Sequence, residues 1–270
     1  MKTKSLFIVV LFAVSLVGCM PKSYYQMFKV APTGSTALKD NYLVYEDDNC
    51  RVSYNFWDEG GNIGFRFYNK TAQSIYLNLD ESFFVLNGIA YDYYKNRVYA
   101  NSVSTGATTS KAVTGVGYLD LNMISTNAIG LATSAGHSVS YNEEKIVCIP
   151  SMTSKIITEY TVNKTLYRDC DLYKYPNKRE VKTKKFTKAD SPFVFSNRIV
   201  YSLSANGNPV KFENEFYVTE ITNYPDEEIT ELKYEEFCNQ KSDLHKSFFK
   251  HVSPDMFYIN YKKGTDYWKH

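Results

Sequence analysis

Cys50-Arg51-Val52-Ser53-Tyr54-Asn55-Phe56-Trp57-Asp58-Glu59-Gly60-Gly61-Asn62-Ile63-Gly64-Phe65-Arg66-Phe67 is the stretch that decides the fold class. Cys50, Val52, Tyr54 and Phe56 fall on alternate positions, and so do Ile63, Phe65 and Phe67. A period of two lines one face of a strand, so two half-buried strands are predicted. Between them, Asp58-Glu59-Gly60-Gly61-Asn62 carries two glycines, which adopt positive φ at little steric cost, and a hairpin turn is predicted there.

The same pattern extends outward. Tyr42 to Tyr45 precedes it as a further strand, and Ile75 to Leu77 follows. Ser82-Phe83-Phe84-Val85-Leu86, then Asn87-Gly88, then Ile89 to Tyr94 reads as a hairpin with a type I′ turn, the turn that Asn-Gly favours. Beyond residue 144, strands are predicted at Lys145 to Ile149, Ser154 to Val162, Phe193 to Leu203, Val210 to Thr222 and Met256 to Tyr261, with a strong turn at Asn206-Gly207-Asn208-Pro209. Asn163 to Lys188 reads as irregular. Only Asp226 to Gln240, where Ile229, Leu232 and Phe237 recur near helical spacing, predicts a helix. About ten short strands with at most one or two short helices predict a mainly β chain, an antiparallel β-sandwich that is immunoglobulin-like or related. Ser82 to Tyr91 is also echoed, with a one-residue gap, by Ser191 to Tyr201, as two similar strand pairs would be.

Composition agrees with an ordered chain. Its 24 Tyr, 17 Phe and 2 Trp supply a core, and 31 Lys and Arg against 29 Asp and Glu lack the basic excess of a dedicated nucleic-acid binder. Residues 98–141 stand apart, being mostly Ser, Thr, Ala, Gly and Asn, with Lys111 and Asp120 their only Lys, Arg, Asp or Glu. They read as an insertion, either a surface loop or a segment facing a partner or a membrane through Leu119, Leu121, Met123, Ile124, Ile129 and Leu131.

The N-terminus carries an address. Lys2 and Lys4 precede the apolar run Leu6 to Val14, too short to span a bilayer, and Leu16-Val17-Gly18-Cys19 matches a bacterial lipobox. Residues 1–18 are therefore expected to be a lipoprotein signal peptide and Cys19 the lipidated first residue of the mature chain. Losing Lys2 and Lys4 removes the small positive excess. Residues 19–41 are read as a lipidated N-terminus and linker, 42–262 as the sandwich domain and 263–270 as a tail. Met20 in place of Asp favours the outer membrane, and the absence of an acidic cluster after Cys19 favours its periplasmic face.

Four other cysteines remain. In an oxidising compartment Cys50 is expected to pair with Cys148 and Cys170 with Cys238, the alternative being four buried free thiols. Their spacing matches no metal pattern, and His137, His245, His251 and His270 are too scattered to build one, so no metal or cofactor is expected. No GxSxG, HExxH or glycine-rich phosphate loop is present, and the pairs Asp47-Asp48 and Glu235-Glu236 point apart, so no catalytic residue is assigned.

Charge is segregated: residues 173–188 are rich in Lys and Arg, and 213–236 in Asp and Glu. The two stretches are expected either to neutralise each other or to leave Lys182, Lys184 and Lys185 facing anionic lipid or an acidic partner. Trp57 and Trp268 are candidate stacking platforms for a sugar, although aromatics on strands more often build core.

The lipobox with Tyr24-Tyr25-Gln26, Cys50 to Trp57, Gly60-Gly61-Asn62, Asn69-Lys70-Thr71 and Ser82 to Gly88 resembles envelope lipoproteins of Bacteroides-type gut bacteria. The resemblance implies an envelope address and brings no site residues. The expected function is a lipid-anchored, non-catalytic binding or assembly module, held to the membrane by its anchor and meeting an envelope protein complex or a glycan. A glycan-binding accessory lipoprotein is the alternative, and an envelope hydrolase with a non-obvious site the third.

Overall fold

The computed structural model describes residues 22–103 and 137–264. In chain order the strands are β1 (Ser23–Thr33), β2 (Ala37–Lys39), β3 (Tyr42–Glu46), β4 (Cys50–Tyr54), β5 (Phe65–Asn69), β6 (Ile75–Asn78), β7 (Phe83–Leu86), β8 (Ile89–Asp92), β9 (Val98–Val103), β10 (His137–Asn142), β11 (Ile146–Ile149), β12 (Ser154–Ile157), β13 (Thr183–Lys185), β14 (Val194–Ser202) and β15 (Val210–Pro225). The short helix α1 (Asp226–Ile229) follows, then β16 (Thr230–Phe237), β17 (Gln240–Phe249) and β18 (Met256–Lys262). The chain is mainly β and its strand pairs are antiparallel.

Two compact units are formed: one holds the described chain up to Tyr93 and from Ile146 onward, the other Tyr94–Lys145. In the larger unit, one sheet runs β11-β6-β14-β15-β1-β18, with β13 also on β15 and the β7–β8 hairpin on β14. A second sheet runs β12-β5-β4-β3-β2. Period-two alternation explains how they face each other. Cys50, Val52 and Tyr54 of β4 and Phe65 and Phe67 of β5 turn inward, where they are buried, while Arg51, Ser53 and Arg66 turn out. Tyr54 meets Phe216 of β15 at 5.2 Å between ring centroids, Phe67 meets Tyr201 of β14 at 5.6 Å, and Phe56 meets Phe216 at 4.9 Å. Such pairs each add about 0.5–1.5 kcal/mol beyond the burial of their area. The core is therefore an aromatic layer between two sheets.

Several expectations are met and others corrected. Asn87 and Gly88 take φ of 49° and 82°, and Leu86 pairs with Ile89, so the predicted two-residue hairpin is present. The two echoing stretches turn out to lie side by side, with Leu86 opposite Phe195. Gly60 and Gly61 adopt positive φ as expected, but the connection between β4 and β5 is no tight turn. It is drawn across the fold instead: Phe56 N–H donates to Pro254, Gly60 N–H to Tyr258, and the carbonyls of Gly60 and Gly61 accept from Asn163 and Val162.

The first segment is corrected too. Ser23–Thr33 is no linker, because β1 lies between β15 and β18 and pairs along almost its whole length with β15. The helix predicted over 226–240 stops after Ile229. Thr230–Phe237 instead pairs with Gln240–Phe249 as a two-stranded arm, turned at Cys238-Asn239 with φ of 50° and 62°. Helix-favouring Glu, Leu and Lys lose there to a strand partner that follows in the chain, a tertiary override of local propensity.

The smaller unit is a ladder of β9 and β10 closed by Glu143, whose carboxylate accepts from the backbone of Lys95 and Arg97 and from the Arg97 guanidinium. The predicted insertion thus begins and ends as paired strands. Its middle, with Lys111, Asp120 and the apolar run named above, lies outside the described residues, as do Cys19, Trp268 and the end of the 263–270 tail.

Candidate functional site

The start of β1 gathers cations and tyrosines. Lys22 bonds Glu227 of α1 at 2.8 Å and sits 5.9 Å from the Tyr24 ring. Tyr24 stacks on Tyr261 of β18 at 5.7 Å and meets Tyr175 at 5.3 Å. Lys174 lies over the Tyr175 ring at 4.9 Å and Lys263 at 5.9 Å, while Lys182 lies over Tyr173 at 5.5 Å. An open cavity of about 630 Å³ runs among Arg168, Lys174, Tyr175, Tyr261 and Lys262. Cation–ring contacts at exposed sites contribute about 0.5–1 kcal/mol each, so they orient the lysines rather than bury them.

Two buried amides hold this constellation in place. Gln26 of β1 donates to the carbonyl of Tyr167 and to Oδ1 of Asn223, and accepts from the Tyr167 N–H. Asn223 of β15 donates to the carbonyl of Tyr173. The irregular segment after Val162 is thereby tied to the sheet at both Tyr167 and Tyr173. Tyr261 adds a third tie by donating its hydroxyl to the Lys174 carbonyl at 2.5 Å. Burial pushes the Tyr261 phenol well above its ordinary range, and the bond to Glu227 raises Lys22, so this end keeps its phenol neutral and its lysine charged at neutral pH.

The basic stretch is otherwise largely used up inside the molecule. Lys184 bridges Asp169 at 2.7 Å and Asp171 at 2.9 Å, Lys185 reaches Glu220 at 3.6 Å, and Lys178 reaches Glu228 at 3.1 Å. Lys188 pairs with Glu215. Cross-neutralisation of the basic and acidic stretches is therefore real for Lys178, Lys185 and Lys188, and of the three predicted contact lysines only Lys182 belongs with the tyrosine cluster. Lys22, Tyr24, Tyr175, Tyr261 and Lys262 were not singled out by sequence. The available signal was the Tyr-Tyr and Tyr-Lys-Lys composition of the first and last strands, which acquires meaning only when the two become neighbours.

The remaining candidates are dispersed. Trp57 is half-buried, with Phe249 edge-on at 4.9 Å and Tyr258 at 5.3 Å, so it seats the base of the β16–β17 arm instead of standing free as a platform. The four described cysteines are free thiols, which corrects the predicted disulfides. On β11 Val147 and Ile149 turn inward, which turns Cys148 out to solvent, whereas Cys50 is buried on the inner face of β4. Cys170 is exposed, and so is Cys238 at the tip of the arm. Burial holds the Cys50 thiol far above its ordinary range, with Asp47 beside it adding to the effect. His245 lies tilted against Tyr234 in the arm, with 3.9 Å between ring centroids, and His251 is exposed. Among the described residues no three His, Cys, Asp or Glu side chains converge on a metal site, and no helix is long and apolar enough to cross a membrane. No protein-family model, curated protein or solved structure matches the chain.

Proposed function

We propose that the chain is a lipid-anchored envelope protein, acting as a non-catalytic binding or assembly module whose Lys22 end lies against the membrane. One observation carries the reading: the cation–tyrosine cluster surrounds Lys22, three residues after the lipobox Cys19 in sequence. Three residues span at most about 10 Å, so acyl chains on Cys19 would keep Lys22, Lys174, Lys262 and Lys263 at headgroup depth. Tyrosines favour that depth, and each Lys near an anionic surface contributes about 1 kcal/mol. The outer membrane, periplasmic face, is the location that fits the residues following Cys19, and the resemblance to Bacteroides-type lipoproteins supports an envelope address without naming the face.

An assembly role is favoured by the arm. Leu232, Phe237 and Leu244 each leave more than two thirds of their area in solvent, on a ribbon open on both faces. A two-stranded hairpin is marginal by itself in water, and apolar side chains displayed along one are typical of contact surfaces.

The membrane reading is tested by sedimenting full-length mature protein carrying Cys19→Ser with phosphatidylcholine vesicles, with and without phosphatidylglycerol. Binding is expected only with the anionic lipid, and is expected to fall about tenfold or more in a Lys174→Ala/Lys262→Ala/Lys263→Ala variant. A Lys182→Ala/Lys184→Ala/Lys185→Ala variant should change it much less, since Lys184 and Lys185 already face carboxylates. No binding at low salt, or the reverse order of the two variants, overturns the proposal.

A further inference from the structure

The outer face of the β12-β5-β4-β3-β2 sheet carries a second constellation, unconnected with the anchor. Lys39 and Tyr42 pair across β2 and β3, Arg51 stands opposite Tyr68, and Ser53 stands opposite Arg66 across β4 and β5. These six side chains, together with Asp40, Val44 and Ser154, line an open cavity of about 440 Å³. A smaller one of about 130 Å³ continues from it past Tyr42, Ser53 and Arg66 to Asn55 and Asn62. The floor is thus a groove across a sheet face, with two phenol rings, two guanidinium groups and a rim of hydroxyls and amides.

Its cations outnumber its anions: Lys39, Arg51 and Arg66 line it against Asp40, with Glu46 and Lys70 beside it. Glu46 is the carboxylate shared by Lys39 at 3.8 Å, Arg51 at 3.1 Å and Lys70 at 3.0 Å. The hydrogen bond from Arg51, followed by that from Lys70, holds the Glu46 carboxyl down to about 2, so one anion serves three cations throughout the neutral range. Arg51 spends one terminal nitrogen on Glu46, and its Nε is buried without an acceptor. Arg66 is exposed and has no carboxylate partner among the described residues. Arg51 and Arg66 occupy diagonal positions on adjacent strands, a spacing of about 7–8 Å that long side chains can bridge to meet one anionic group.

We propose that this groove binds an acidic saccharide, a chain of sugar rings bearing carboxylates, with Arg51 and Arg66 receiving a carboxylate and Tyr42 and Tyr68 lying against ring faces. The inference gives a ligand class to the binding-module reading and rests on it, but not on membrane contact. Ser53, Ser154, Asn55 and Asn62 supply partners for sugar hydroxyls along the same track. An acidic peptide fits less well. Strand addition at a sheet edge is closed to it, because the cations stand on the face, where a peptide backbone finds no ladder to join, and the two phenol rings offer flat faces suited to a sugar ring.

The test is calorimetric titration of mature, detergent-solubilised protein with an oligogalacturonate, its methyl ester, a poly-glutamate peptide and inorganic phosphate. Saturable binding of the oligogalacturonate is expected, with loss of affinity on esterification. Arg66→Ala and Arg51→Gln should each weaken it about tenfold or more, the loss of a charge-assisted hydrogen bond. Arg66 is exposed, so its variant should keep the wild-type melting temperature. Absent binding, binding indifferent to Arg66→Ala, or equal binding of poly-glutamate or phosphate overturns the proposal. The two readings fail separately: Arg66→Ala should sediment with anionic vesicles as wild type does, and the Lys174/Lys262/Lys263 variant should keep its saccharide affinity.

Discussion

Asn214 of β15 donates from Nδ2 to the hydroxyl of Tyr54 on β4 at 2.8 Å, a buried hydrogen bond between the two sheets. The neighbouring position repeats the device. Asn197, opposite Asn214 on β14, accepts from the Tyr93 hydroxyl at 2.5 Å and donates to the Ile63 carbonyl. All four side chains are buried, so each pair settles polar atoms that would otherwise cost free energy in the core. Asn214 has the narrower margin, because its Oδ1 has no partner. Tyr54→Phe should therefore cost about 1–3 kcal/mol, since it strands the amide as well as removing the bond. Tyr54→Phe combined with Asn214→Leu should cost less than the sum of the two single changes. Urea unfolding of the four proteins in a double-mutant cycle measures the difference, and strict additivity would contradict the coupling.

This pair also marks where sequence reading ends. The alternation from Cys50 to Phe67 gave the strands and their inward faces, and Asn87-Gly88 gave its hairpin, because those signals are local. Tyr54 and Asn214 lie 160 positions apart, and nothing in either segment names the other. The same limit explains the arm: Thr230–Phe237 reads as helix alone and becomes strand only beside Gln240–Phe249. It explains the candidate site as well. Lys22 directly precedes the first long strand and Tyr24 lies at its start, Tyr261 and Lys262 close the last, and the antiparallel pairing of β1 with β18 is what joins them.

Alkaline pH should unfold the protein through its buried phenols. Burial raises Tyr54, Tyr93, Tyr201 and Tyr261 above the ordinary value of 10. The fold favours their neutral form, so their contribution is complete below about pH 10 and declines as pH rises from there through the folded values. Tyrosinate absorbance from these rings is expected to appear together with loss of the near-ultraviolet dichroism. If the rings ionise while the dichroism persists, their burial is not what the structure shows.

Thiol labelling should divide the cysteines in a fixed way. Cys148, Cys170 and Cys238 are exposed and should react with a maleimide in the native protein, whereas Cys50 should react only after denaturation. Reduction before labelling should release no additional thiols. Peptide mapping of the labelled sites checks the assignment, and recovery of a Cys50–Cys148 or Cys170–Cys238 crosslinked peptide would refute it.

Gly61 and Gly88 separate two costs that positive φ usually confounds. Gly61 has φ of 77°, and a Cβ there would lie 2.8 Å from the Phe257 ring, which stacks on Phe28 in the core. Gly88 has φ of 82° with nothing within 4 Å of the same atom. Gly88→Ala should therefore show only the left-handed backbone cost, about 1–2 kcal/mol. Gly61→Ala adds overpacking against a buried ring, about 1–3 kcal/mol more. Since the Gly61 carbonyl accepts from Val162, a shift of the loop away from Phe257 would also stretch that bond, which leaves little room for relaxation. Urea midpoints should fall in the order wild type, Gly88→Ala, Gly61→Ala. Equal losses for the two variants would mean that the 55–64 connection is not pinned against Phe257.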